Sequence, residues 1–120
     1  MNDCIFCKII KGEIPSKKIY EDEMIFGFLD INPHGDGHLL LIPKKHYSDI
    51  YDLDEDVFDH IHKVSLRLIN KLMNNLNKDG ITITYNYGSE QQVKHFHLHL
   101  IPEYSKGCSM SVDEVYEKLK

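Results

Sequence analysis

The 120 residues predict one α+β domain, and three observations carry that reading. Short β-rich segments separated by turn residues fill the first third of the chain. A single long stretch in the middle repeats its apolar residues at three- and four-residue spacing, the period of an amphipathic helix. Two further β segments follow, and the second alternates histidines with large apolar side chains in "KHFHLHLI".

The early segments are Lys18 to Glu21, Met24 to Ile31 and His38 to Ile42, with Glu21-Asp22-Glu23 and the run Asn32 to Gly37 between them. This order reads as an antiparallel meander, and Pro43 closes its third strand because it has no N–H to give to a ladder. From Asp54 the period changes: Val57, Phe58, Ile61, Val64, Leu68, Ile69, Leu72 and Leu76 fall on one stripe. Asp54 is the expected N-cap, Glu55 and Asp56 suit the positive end of the helix dipole, and "NKDG" from Asn77 to Gly80 stops the helix. The β segments after it are Ile81 to Asn86 and Lys94 to Ile101. Ser111 and Glu114 stand at capping-box spacing before Val115, Tyr116 and Leu119, which predicts a short terminal helix.

With 42% hydrophobic and 28% charged residues, residues 1–120 have the size and composition of one globular domain that needs no disulfide staples. The formal net charge is −5 and the acidic residues are scattered, so the chain lacks the basic face that grips a nucleic-acid backbone; a nucleotide partner is expected to be small. No run of eighteen apolar residues occurs and "MNDCIFCKIIKGE" lacks a signal-peptide core, so a cytoplasmic location without a membrane partner is expected. In a reducing compartment Cys4 and Cys7 read as free thiols or metal ligands, and Cys108 as a bystander.

Alternation across a strand puts His95, His97 and His99 on one face and Phe96, Leu98 and Leu100 on the other. Two chemistries use such a row. Alternate imidazoles can hold a metal ion, or one imidazole can act as a nucleophile that its neighbours position. Other residues fit a small-nucleotide site. His38 follows a Gly-rich turn whose N–H groups can face an anion. Asp30, at a strand end beside Phe28 and Ile31, suits a ribose diol next to a base slot. Asn86 lies in a polar segment just upstream of the histidines.

The chain resembles the histidine-triad superfamily, whose motif alternates three histidines with apolar residues and is met here by His95, Phe96, His97, Leu98, His99, Leu100 and Ile101. The similarity runs through "CIFCKIIKGEIPSKKIYEDE", "FLDINP", "GHLLLIPKKH" and the triad to Pro102, in order, and looks closest to the small nucleotide-binding branch. It implies a five-stranded antiparallel sheet with one long and one or two short helices, pairing as a homodimer. It also implies an adenosine-phosphoramidase-like hydrolase or transferase that cleaves at the α-phosphorus of purine nucleoside phosphoramidates or related AMP adducts. The alternatives are a dinucleoside polyphosphate hydrolase and a nucleotide-binding regulator with little activity.

By the same resemblance His97 would be the nucleophile forming a nucleotidyl-imidazole, His99 would donate to a phosphate oxygen, and His38 would orient or neutralise the phosphate. Asn86 would contact the phosphate or leaving group and Asp30 the ribose, with Phe28, Ile31, Ile5, Phe6 and Ile9 around the base. Cys4, Cys7, His46 and His95 match a structural zinc site; two thiolates and two imidazoles close a tetrahedron with no open position, so no catalytic metal is expected. One departure stands out: where many members carry a Ser or Thr that helps protonate or orient the leaving group, this chain has Gln92, within "SEQQV".

Overall fold

The continuous apolar runs "IFGFL" and "LLLIP" can be strands only in a sheet covered on both faces, and the architecture has that form. The computed structural model describes residues 3–120. Its elements are α1 (Ile5–Ile10), β1 (Lys18–Glu21), β2 (Ile25–Leu29), β3 (Leu39–Pro43), α2 (Glu55–Leu76), β4 (Ile81–Thr84), β5 (Leu98–Pro102) and α3 (Val112–Leu119), with short 3-10 turns at 50–52, 88–90 and 104–106. The five strands form one antiparallel sheet in the order β1-β2-β3-β5-β4.

One face packs on α2 and α3. Ile61, Val64, Leu68 and Leu72 from the predicted helical stripe meet Ile25, Leu39, Leu41, Phe96, Leu98 and Leu100 in the main core. The other face carries a second, smaller cluster in which Phe6 and Ile9 of α1 cover Phe26, Phe28, Leu40 and Ile42. Every residue of β2 and β3 is therefore buried. The histidine face lies on the α1 side.

Four strands have bounds that differ from the sequence reading, for local reasons. β2 and β4 are shorter than their apolar runs, ending at Leu29 and Thr84. β3 starts at Leu39 and includes Pro43, which sits at its end opposite Ile25. β5 begins only at Leu98, so His95 and His97 precede the strand; Phe96 donates its amide instead to the Tyr47 carbonyl at 2.7 Å. The alternation survives outside the ladder, because Phe96 still joins the α2 core while His95 and His97 face α1.

Asp54 occupies the N-cap of α2, yet its carboxylate accepts from the Tyr47 hydroxyl at 3.0 Å rather than from the helix amides. At the far end Asn77 adopts a left-handed φ of 55° and returns its amide to the Met73 carbonyl. The Ser111–Glu114 capping box forms with both bonds in place. The segment before α3 is tied to the Gly-Asp-Gly turn by the buried Asp36 carboxylate, which accepts from the Ser109 amide and hydroxyl, the Met110 amide and Lys78.

That turn sits against the end of β5. A methyl group on Gly35 would lie 2.6 Å from the Pro102 carbonyl oxygen and 3.2 Å from Ile101. Both belong to a strand that cannot retreat without breaking its ladder, so Gly35→Ala is expected to destabilise the fold by about 1–3 kcal/mol. Urea unfolding checks this: the midpoint should drop with the slope retained, and an unmoved midpoint would show that the turn can shift freely.

Candidate active site

Histidine chemistry depends on which ring nitrogen carries the proton, and here the remote nitrogen of each ring has a partner that decides it. His97 directs Nδ1 at the backbone carbonyl of His95, 2.9 Å away. A carbonyl only accepts, so Nδ1 carries the hydrogen and the Nε2 lone pair is left free. His97 is 8% exposed and lines a cavity of about 300 Å³.

The next ring has the opposite assignment. The backbone N–H of His34 donates to His38 Nδ1 at 3.0 Å, which makes that nitrogen the acceptor and puts the hydrogen of neutral His38 on Nε2. His38 Nε2 lies 2.9 Å from His99 Nδ1. His38 therefore donates to His99, and His99 keeps its own hydrogen on Nε2. One ring lining the cavity offers a lone pair and its neighbour offers an N–H, with their centroids 4.9 Å apart.

Burial keeps these rings uncharged. Desolvation lowers the pKa of His97, partly opposed by its hydrogen bond to the His95 carbonyl. Desolvation and the neighbouring His97 and His38 bring His99 down to about 4. His38, 1% exposed, is lowered chiefly by burial, with Asp30 pulling the other way from 3.6 Å.

A second cluster lies beside the first. Cys4 Sγ is 3.3 Å from His95 Nδ1, Cys7 Sγ is 3.4 Å from His46 Nδ1 and 3.6 Å from His95 Nδ1, and the two imidazole nitrogens are 3.1 Å apart. All four donor atoms lie within 4.8 Å of one another. His95 points Nε2 at the Pro43 carbonyl, 2.8 Å away, so its hydrogen is there and the Nδ1 lone pair faces the sulfurs. The trio Asp30, His38 and His99 is equally close-set. It differs in that the His34 amide commits His38 Nε2 to being a donor, so that group is a hydrogen-bond chain rather than a cation site.

The sequence-derived residues distribute as follows. Asp30, Phe28, Ile31, Ile5, Phe6, Ile9, Gln92, His97 and His99 all line the cavity, and Ile14, Pro15, Ser16, Asn32 and Val93 complete much of its wall. His38 stands behind the cavity wall, against His99 and Asp30, and does not line the cavity itself. Asn86 does not line the cavity; it lies two residues beyond Thr84, which is paired with His99. Asp30 accepts the Asn32 amide at 2.9 Å through one oxygen. Phe6 sits edge-on to His95, His97 and Phe28 at centroid distances of 5.8, 5.1 and 5.7 Å, so α1 touches both clusters at once.

Several contributors lay outside the sequence reading. The Pro43 and His95 carbonyls and the His34 amide are backbone groups and leave no mark in a residue pattern. Gln91, the other glutamine of the "SEQQV" run, is buried, and its amide nitrogen donates to the Ser48 and Val93 carbonyls at 2.7 and 2.9 Å, holding the loop that carries Gln92.

The tautomers can be checked directly. Nitrogen-15 NMR of the imidazoles near neutral pH should show the Nδ1–H form for His97 and the Nε2–H form for His38 and His99. Because His99 and His38 are held below the ordinary histidine value of about 6.5, the unfolded chain binds more protons below that pH than the fold does. Their contribution is therefore complete above about pH 6.5 and declines as pH falls toward about 4, where His99 itself protonates. Stability measured across that window should fall with pH, and His99→Asn should flatten part of the slope.

Comparison with known proteins agrees with this geometry. Residues 3–113 match the family model described as scavenger mRNA decapping enzyme C-terminal binding. An uncharacterized HIT-like protein of Methanocaldococcus jannaschii is 39% identical over 98% of both chains. The adenosine 5'-monophosphoramidase of Candida albicans is 38% identical, covering 91% of this chain and 76% of its own. A Zn-bound histidine triad family protein from Mycobacterium smegmatis superposes with a TM-score of 0.90 at 34% identity, over 98% of this chain and 91% of its own. The chain is a member of the histidine-triad family of nucleotide hydrolases.

Proposed function

We propose that this protein cleaves the α-phosphorus bond of purine nucleoside phosphoramidates or related AMP adducts through a covalent nucleotidyl-His97 intermediate. The observation that carries the reading is the His97 tautomer: Nδ1–H is bound to the His95 carbonyl, so the Nε2 lone pair is available in a cavity whose wall also holds Asp30 and His99. The base would lie among Phe6, Ile9, Phe28 and Ile31, and the ribose hydroxyls against Asp30. His99 Nε2–H would donate to a non-bridging oxygen, with His38 holding the ring in that form. His97 Nε2 would bond to phosphorus as the leaving group takes its electron pair, and water would then release the nucleotide and restore the ring. Asn86 contributes only where the substrate extends beyond the cavity toward the end of β4.

Charge favours this over a dinucleoside polyphosphate substrate. Among the described residues the cavity wall contains no lysine or arginine and one carboxylate, Asp30. A phosphoramidate carries one negative charge at its phosphorus and can be held by neutral N–H donors; a polyphosphate chain would leave several charges without a counter-ion.

The Cys4, Cys7, His46 and His95 set fits a zinc ion. Tetrahedral Zn–N and Zn–S bonds of about 2.0 and 2.3 Å imply donor separations of about 3.3–3.8 Å, and the measured 3.1–3.6 Å lie within a few tenths of that. The ion would tie α1 to the segment before β5 and supply no chemistry, since four protein ligands leave no open position. A homodimer fits the exposed apolar side chains Ile83 and Tyr85, on and just beyond the edge strand β4, and Leu66 on α2. Among the described residues no helix is long and apolar enough to cross a membrane.

Mass spectrometry of protein quenched during turnover of an adenosine phosphoramidate should find a nucleotidyl mass on His97. His97→Ala should lose at least a thousandfold in kcat while retaining nucleotide affinity within a few fold. A wild-type protein that binds nucleotide and never turns over would point instead to a binding regulator. Elemental analysis should find one zinc per chain, reduced in Cys4→Ser/Cys7→Ser, and light scattering should give twice the chain mass.

A further inference from the structure

The four-donor cluster draws its side chains from three segments of chain, and one buried carboxamide ties two of those segments together. Gln91, 4% exposed, closes the 3-10 turn at 88–90. Its amide nitrogen donates one hydrogen to the Ser48 carbonyl at 2.7 Å and the other to the Val93 carbonyl at 2.9 Å. Ser48 lies two residues after His46, and Val93 two residues before His95. The carboxamide therefore spans the two stretches that carry the imidazole donors. Its orientation is fixed, because turning the amide over would set its oxygen against two carbonyls.

The two imidazoles differ in how they are aimed. His95 is held from behind by the bond from its Nε2 to the Pro43 carbonyl at 2.8 Å. Among the described residues the His46 ring has no hydrogen bond outside the cluster, so its aim is set by its own backbone. Two groups hold the turn that follows it. Asp52 accepts from the Ser48 amide and hydroxyl at 3.0 and 2.8 Å, but it is exposed and does not join the turn to His95. Gln91 does join them, alongside the Phe96 amide, which reaches the Tyr47 carbonyl at 2.7 Å.

The carboxamide oxygen supports the same reading. Gln91 Oε1 is buried and has no hydrogen-bond partner among the described residues. An unpaired buried acceptor destabilises a fold, so an apolar side chain would fill this space better. What the junction uses is the pair of N–H groups. An ion can reach the cluster from solvent, because a trough of about 400 Å³ has Cys4 and His46 on its wall. That trough adjoins the cavity and shares Ile5, Gln92 and Val93 with it.

We propose that Gln91 is a positioning residue of the metal cluster: it braces the turn after His46 against the segment before His95 and holds the two imidazole donors 3.1 Å apart before an ion arrives. The inference rests on the zinc reading of the cluster and is independent of the nucleotidyl step.

The test compares the wild type with Gln91→Met, which keeps the side-chain length and removes both N–H groups. Each protein is stripped of metal and titrated with zinc against a chromophoric chelator. Zinc affinity should fall on the order of ten- to a hundredfold, the usual effect of losing a group that orients a metal ligand. Cobalt(II) gives a second readout: the wild type should show the intense visible bands of a tetrahedral site, and Gln91→Met should weaken or shift them. Urea unfolding of the metal-free proteins separates positioning from packing. A lower midpoint with zinc affinity and cobalt bands unchanged makes Gln91 an ordinary structural residue and overturns the proposal. Should Gln91→Met fail to fold, Gln91→Asn decides by the same measurements, since its amide is one methylene short of spanning both carbonyls. A wild type that takes up neither zinc nor cobalt refutes the zinc reading itself, and the role of Gln91 with it.

Discussion

Everything chemical in this fold depends on one hydrogen bond, from His97 Nδ1 to the carbonyl of His95. It lies within a three-residue stretch and needs no other element, yet it decides that Nε2 is a lone pair rather than an N–H. The bond holds because both residues are buried, where a carbonyl deprived of water keeps the donor it has. The same logic repeats one ring away with the sign reversed. The His34 amide can only donate, so His38 must accept on Nδ1, donate from Nε2 and leave His99 as the donor to the cavity. Three chemically identical side chains thus acquire their different tautomers from two backbone groups, the second acting on His99 through His38.

Covering both faces of the sheet makes these assignments durable. A sheet with one wet face would let the triad exchange protons and tautomers with solvent. Here α1 and the segment after it seal the histidine face, and desolvation keeps His97, His99 and His38 uncharged at neutral pH. The cavity and the packing also share a residue in Phe6, whose ring lines the cavity, makes an edge contact with His97 and belongs to the smaller core.

How much of this was legible in the sequence depended on whether side-chain type or backbone position carried the information. The stripe from Val57 to Leu76 gave α2 nearly to the residue, and Ser111 with Glu114 marked α3, because periodicity and capping are side-chain properties. The histidine row was read correctly as a two-faced segment but wrongly as a strand throughout. Alternation records which way side chains point, and His95 and His97 alternate without a ladder because α2 and α1 cover the two sides. The cavity wall was largely anticipated, since Asp30, Phe28 and α1 are marked by residue type. Asn86 lies two residues beyond Thr84 and off the cavity wall, and neighbourhood in sequence to the histidines does not by itself set how its side chain meets the cavity. The tautomers were out of reach: no residue code records that Pro43 and His95 present carbonyls while His34 presents an amide.

His95 explains why the two clusters cannot be treated separately. Its ring directs Nδ1 at Cys4, Cys7 and His46, its Nε2–H is held by Pro43, and its carbonyl holds Nδ1–H of His97. Rotating the ring would require giving up the Pro43 bond, and moving the backbone would release His97. The four-donor cluster is therefore linked to the His97 ring through one peptide group, without lining the cavity itself. The arrangement also orders the hierarchy of rigidity: the strand end at Pro43 fixes His95, His95 fixes His97, and only the last of these lines the cavity. Gln92, exposed at the rim, borders both the cavity and the adjoining trough. Rigidity is therefore concentrated behind the one lone pair that faces the cavity.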